Sequence, residues 1–247
     1  MLFTVLTVAS VRSGRLDALD WRVWNDRPER QWPELKPSAR ALTYLGLRAP
    51  TAAIALFFAW RLSRRARTWR PLVVLIGALL ALNLVVGVLK IALGRAKAET
   101  GSGEYFAGGL MYPSGHSANA VVTWGVLAYL CVAYARASRR TAAVLAFLPT
   151  PAVAAGSWFL GSHWLTDLVA GWLIGAAVLI GAVECDRAAR RRQRRAASRA
   201  AEPVAVRTSR RRLVVPQARD LDGLDDAPAA LDVREDLVAP RRPSGEA

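Results

Sequence analysis

Apolar and polar residues segregate into long blocks along this chain. Five apolar runs, at 42–60, 72–89, 117–134, 141–160 and 165–183, reach the length that carries a helix across a bilayer core, about 20 residues. The polar residues between them do not recur every three or four positions, as on the wet face of a soluble helix. They come in short blocks dominated by arginine. The pattern predicts an all-α integral membrane helical bundle of five spans, or of six if the apolar 1–11 (MLFTVLTVASV) is the end of a further one. Alone, that stretch is too short to cross and reads as a half-inserted segment. Residues 12–40 are polar and carry Trp21, Trp24 and Trp32. This predicts an interfacial segment, because indole rings favour the headgroup region. Pro149 and Pro151 predict a kink in the fourth span, which neighbouring helices in a membrane can accommodate.

The loops orient the bundle. Arg61, Arg64, Arg65, Arg67 and Arg70 follow the first span, Arg136, Arg139 and Arg140 follow the third, and Arg187, Arg190, Arg191, Arg192, Arg194 and Arg195 follow the fifth. If the spans alternate, these clusters share one side, and the positive-inside rule makes that side cytoplasmic. The formal charge of +15 on 247 residues is thereby accounted for as membrane topology. Anionic lipid headgroups at the basic start of the tail are the expected partner, and nucleic acid is not. The expected organisation is an N-terminal interfacial segment over 1–40, a membrane domain over 41–186 and a cytoplasmic, largely disordered tail over 187–247. Cys131 and Cys185 each sit in or at the end of an apolar run and form no recognisable disulfide or metal pattern. The arginine- and alanine-rich usage points to a bacterial plasma membrane.

The side opposite the arginines holds residues 90–116 and 157–167, which contain both histidines of the chain. His163 and Asp167 are four apart, so a helix starting there puts them on one face, one turn apart. A carboxylate at that distance fixes one ring nitrogen and leaves the other free to attack. In Pro113-Ser114-Gly115-His116, Ser114 is a helix cap and Gly115 lets backbone approach a ligand. Amides at that helix start favour an anion, and His116 in the first turn is placed to protonate a leaving oxygen. Lys90, Arg95 and Lys97 supply cations. Each cluster alone has an ordinary reading: a capped helix start, a Pro-Ser-Gly turn, a set of snorkelling anchors. Together, on one side of one membrane, they make up the inventory for phosphoryl transfer.

The pattern resembles the type-2 phosphatidic acid phosphatase family, whose motifs are KxxxxxxRP, PSGH and SRxxxxxHxxxD. Their order and spacing match across roughly residues 40 to 185, with PSGH intact at 113–116, His163 and Asp167 in place, and Lys90 opening the first motif. The resemblance implies a membrane bundle related to the histidine acid phosphatase and haloperoxidase helical core, and a lipid phosphate or polyprenyl diphosphate as substrate. It implies His163 as the nucleophile that forms a phosphohistidine, Asp167 as its orienter and His116 as the acid. Lys90, Lys97, Ser114 and Gly115 would hold the phosphate. No metal or cofactor is implied, and the site would face outside.

Two arginines of the pattern are missing. The first motif ends in Lys97-Ala98, and the third opens with Gly156-Ser157, with no arginine between Arg140 and Arg187 to restore the charge. A lost phosphate ligand costs roughly 3 to 4 kcal/mol of transition-state stabilisation. Two expectations follow. Either the chain is a weak or inactive relative that binds a lipid or a partner protein, or another cation compensates. The candidate compensator is Arg48, a charge within the outer part of the first span. It either snorkels outward or points into the bundle. A proton-relay channel would need ionisable residues deep in several spans, and Arg48 is the sole hint of that.

Overall fold

The computed structural model describes residues 1–26, 28–97 and 102–201. Among them there is no strand. The helices are α1 (Leu2–Arg12), α2 (Gly14–Asn25), α3 (Pro28–Gln31), a 3-10 turn (Pro33–Leu35), α4 (Lys36–Tyr44), α5 (Arg48–Ala66), α6 (Arg70–Leu93), α7 (Gly115–Ala135), α8 (Arg139–Phe147), α9 (Pro149–Phe159) and α10 (Leu165–Ala201). Residues Met1–Arg195 form one compact unit, which holds the candidate site.

Among the described residues, four stretches are long and apolar enough to cross a membrane: Arg70–Leu93, Gly115–Ala135, Arg139–Phe159 and Leu165–Ala200. A fifth is a pair, Pro33–Tyr44 with Arg48–Ala66, bent by 47°. The α6 helix shows the membrane most directly. It buries Leu75, Ala78, Leu82 and Val86 at spacings of three and four, and leaves Val73, Ile76, Leu80, Leu84 and Val88 exposed on the other face. A helix apolar on both faces, with one face uncovered by protein, is solvated by lipid. The α7 helix is the central one and touches α5, α6, α8 and α9. Its Ala118, Val122, Val126 and Leu130 form the core with Ala55, Ala59 and the buried face of α6.

The first span departs from expectation in an informative way. Instead of a straight helix over 42–60, the chain breaks at residues 45–47 and α5 starts at Arg48. Gly46 sits in the break, where a Cβ would come within 2.8 Å of the His116 carbonyl oxygen. The carbonyls released by the break are taken up by α7: Trp124 Nε1 donates to Leu45 O at 2.8 Å and Asn119 Nδ2 to Gly46 O at 3.1 Å. Asn119 Nδ2 also donates to Thr51 Oγ1 at 2.9 Å, and Asn119 is 2% exposed. Broken backbone at membrane depth persists only where such partners replace water. Asn119→Leu is therefore expected to lower stability by about 1 to 3 kcal/mol, the cost of orphaning buried polar groups. Chemical unfolding in detergent checks this, and an unchanged midpoint would refute it.

The fourth span, Arg139–Phe159, carries the predicted interruption at Leu148, with α8 ending at Phe147 and Pro149 opening α9. Proline lacks the N–H that would continue the helix and suits its first position. The tail expectation needs correcting at its start. The α10 helix continues past residue 187 to Ala201, because a run of Arg and Ala has high helix propensity. The remainder of the expected tail lies outside the described residues. The N-terminal segment is helical too, and two of its three tryptophans serve the protein interior. Trp21 and Trp24 pack on Trp164 at ring distances of 4.9 and 6.0 Å, while Trp32 is exposed.

The arginine clusters gather at one end of the bundle. There Asp186, 4% exposed, accepts from Tyr129 Oη at 2.7 Å and Arg190 Nε at 2.8 Å, with Arg70 at 4.0 Å. These contacts tie α10 to α7 and to the start of α6. The first turns of α5, α7 and α10 and the end of α6 meet at the other end, and both histidines are there.

Candidate active site

Two helix starts build the centre of this end. Ser114 caps α7, its Oγ accepting from Ser117 N at 3.4 Å. The backbone N–H of Ser114 donates to Asp167 O at 3.0 Å, which locks the start of α7 to the first turn of α10. At the start of α10, Asp167 Oδ2 accepts from Trp164 N at 3.3 Å, as an acid three residues into a helix does when it reaches back to the cap. The same oxygen lies 3.4 Å from His163 Nδ1. One carboxylate thus holds the helix start and faces the histidine ring.

His116, in the first turn of α7, faces His163 with ring centroids 6.2 Å apart and planes at 67°. Both line a pocket of about 750 Å³ together with Gly115, Lys90, Lys97 and Arg48. His163 is 10% exposed and Asp167 fully buried behind it. Lys90 Nζ donates to Leu110 O, which fixes the ammonium at the pocket wall. Leu47, Ala49, Pro50, Leu110 and Met111 make the rest of that wall apolar. A gap of this size between two imidazoles, with cations around it and an apolar flank, suits an anionic head on a hydrocarbon body.

Arg48 points inward. Its Nη2 lies 3.3 Å from where a Cβ on Gly115 would be, so the guanidinium sits over the first turn of α7. It is the first residue of α5, where the helix dipole disfavours a cation. Its place is thus explained by what it faces and not by helix stability.

The other expected phosphate ligands separate into two groups. Lys90, Lys97 and Gly115 border the pocket, with Ser114 buried just behind as the cap. Ser157 does not border it. It is 1% exposed inside α9, and its carbonyl accepts from Ser162 N and Ser162 Oγ. Its neighbour Gly156 packs so closely on α4 that a Cβ would lie 2.6 Å from Ala39 O. The opening of the third motif is here a helix-packing surface.

Arg95 needs the clearest correction. The sequence places it among the cations for phosphate, but its guanidinium is 1% exposed and turned behind Asp167. Nη1 donates to Asp167 Oδ1 and to Thr166 Oγ1, both at 2.7 Å, Nη2 to Asp20 Oδ2 at 2.7 Å, and Nε to Gly103 O at 3.1 Å. The rings of Tyr105 and Trp164 lie 4.8 and 5.1 Å from its Cζ. Burial works against its charge, but Asp167, Tyr105 and Asp20 more than offset that and hold it as a cation. Burial likewise pushes the Tyr105 and Tyr112 hydroxyls up, so both stay neutral. Sequence reasoning missed Asp20, Thr166, Tyr105 and Tyr112. Asp20 and Arg95 are 75 residues apart, and no spacing rule connects them. No group of three or more His, Cys, Asp or Glu among the described residues is arranged to hold a metal ion.

A profile of the PAP2 superfamily matches residues 71–191 of this chain. Among solved structures, the fold is similar to the first transmembrane PAP2 type phosphatidylglycerolphosphate phosphatase from Bacillus subtilis. The TM-score is 0.64 at 20% identity, over 75% of this chain and 92% of that one. At that identity the likeness is one of fold. No curated protein matches the sequence.

Proposed function

The chain belongs to the PAP2 superfamily and is a multi-pass membrane protein, and on that premise we propose that it hydrolyses a lipid phosphate or polyprenyl diphosphate through a phosphohistidine. The observation that carries the reading is the His163–Asp167 pair facing His116 across a cation-lined pocket.

In the proposed reaction, Asp167 Oδ2 accepts from His163 Nδ1–H and leaves Nε2 with its lone pair toward the pocket. Nε2 attacks phosphorus as the bond to the lipid oxygen breaks. The electron pair leaves with that oxygen, which takes a proton from His116. Water then attacks phosphorus, giving its proton to His116 and displacing His163, so phosphate departs and both histidines return to their starting states. Lys90, Lys97, Arg48 and the first-turn amides of α7 offset the charge on the equatorial oxygens. Arg48 takes the part of the arginine that the third motif lacks, supplying a planar, bidentate donor set that Lys97 does not. The apolar wall of Leu47, Ala49, Pro50, Leu110 and Met111 accommodates the hydrocarbon next to the scissile bond. The site faces outside, because the opposite end carries the arginine clusters.

The test is phosphate release from phosphatidate and from a polyprenyl diphosphate by the detergent-purified chain with a chelator present. Release from either, with an acid-labile phosphate on a peptide containing His163, is the expected result. No release from either would favour a lipid-binding relative without turnover, and release that needs added metal would contradict the histidine route.

A further inference from the structure

The buried charges behind Asp167 do not end at Arg95. Asp20, on α2, is 1% exposed and is the far end of a closed set of hydrogen bonds. Its Oδ1 accepts from Thr166 N at 3.0 Å, and its Oδ2 accepts from Thr166 Oγ1 at 2.5 Å and Arg95 Nη2 at 2.7 Å. Thr166 and Asp167 are the second and third residues of α10, so Asp20 satisfies one of the amides that a helix start leaves without an internal partner. It does so from a helix that lies outside the family-profile match of residues 71–191.

We propose that Asp20 is a positioning residue for the nucleophile, acting through Arg95 and Thr166 on Asp167. The inference rests on the reading of His163 as nucleophile and deepens it. Asp167 divides its two oxygens, Oδ1 to Arg95 and Oδ2 to His163 and the Trp164 amide. With Asp20 in place, the guanidinium is shared between two carboxylates, and Asp167 keeps enough negative charge to accept strongly from His163. Without that second carboxylate, the whole cation bears on Asp167 Oδ1 and weakens the acceptor at Oδ2. The geometry also loosens, because Arg95 and Thr166 each lose the partner that fixes them. A buried cation with one of two counter-charges removed is poorly compensated, and its hydrogen-bonded neighbours adjust first. This accounts for Arg95 being withheld from the pocket: its nitrogens are committed to the frame of the site.

The test compares wild type with Asp20→Asn, which removes the charge and keeps the shape. Partners that orient a ligating histidine are worth roughly 10- to 100-fold in activity. Asp20→Asn is accordingly expected to lower kcat about tenfold, the lower end of that range, with KM within about twofold. A second readout does not depend on turnover: the rate at which diethyl pyrocarbonate modifies His163, with His116 of the same molecule as reference. That ratio is expected to fall several-fold in Asp20→Asn. A merely structural role would lower the folded fraction and change both histidines together. Unchanged kcat with an unchanged ratio overturns the proposal. If wild type hydrolyses no phosphate ester, the phosphatase reading fails while the ratio still decides this inference. Should Asp20→Asn not fold, Thr166→Val removes the hydroxyl link alone and is expected to lower the same ratio. An unchanged ratio there overturns the proposal.

Discussion

His163→Ala is expected to abolish phosphate release, by on the order of 10⁴-fold or more, because a covalent route has no step left without its nucleophile. The substitution falls at the pocket wall, beyond the helix start, so the protein is expected to stay folded. Asp167 still accepts from the Trp164 amide and from Arg95 in that variant, and these contacts hold the first turn of α10. Loss of turnover with an unchanged unfolding midpoint in detergent is the anticipated pair of results. Residual activity within tenfold of wild type would remove His163 from the reaction. His116, whose ring lies 6.2 Å from that of His163, is the acid in the proposed reaction and is not expected to substitute as nucleophile.

Arg48→Ala is expected to have the next largest effect, a loss of roughly 100- to 1000-fold in kcat/KM, the usual size for removing one preorganised donor to a developing anion. Arg48→Lys should restore part of that, since it keeps the charge and loses the fork. The converse experiment separates position from composition. Ser157→Arg restores the family's residue, yet Ser157 is buried inside α9 beside the tight α4 contact at Gly156. That variant is expected to gain no activity and to lose stability, because it places a long cation in closely packed, buried surroundings. Turnover unchanged by Arg48→Ala would return the question of the missing guanidinium to Lys90 and Lys97. Michaelis–Menten parameters with phosphatidate, measured for all three variants beside wild type, check these expectations.

The contrast between Arg48 and Arg95 shows where reading a sequence reaches its limit. Both were candidate phosphate ligands, Arg95 on its closeness to Lys90 and Arg48 on its awkward depth in a span. Closeness in sequence proved the weaker guide. Gly94 turns the chain in the left-handed conformation just before Arg95, and the next residues leave α6 for the segment that leads to α7. This sends Arg95 behind the site while Lys90 stays on its face. Arg48 reaches the pocket because α4 and α5 meet at an angle, and that angle depends on Asn119 and Trp124 of α7 donating to the stranded carbonyls. Neither outcome is a property of a local window. The same holds for Trp21 and Trp24, whose composition suits a headgroup region but whose rings close over Trp164.

What the sequence determined by itself follows from short-range rules and from the bilayer. Length and hydropathy set the number of spans, since a helix must run about 20 apolar residues to cross. Arginine blocks set which ends lie together. The four-residue spacing brought His163 to Asp167, although His163 lies just before α10 and not on its face, and the capping preference of serine placed His116 in a first turn. The tertiary structure decided which charges face the pocket. A buried guanidinium goes wherever enough carboxylates and aromatic faces converge, and for Arg95 these come from α2, from Tyr105 before α7 and from α10. Such convergence depends on packing among segments that are remote in the chain. It therefore left no trace at any single position, while it settled that Arg48, and not Arg95, stands over the pocket.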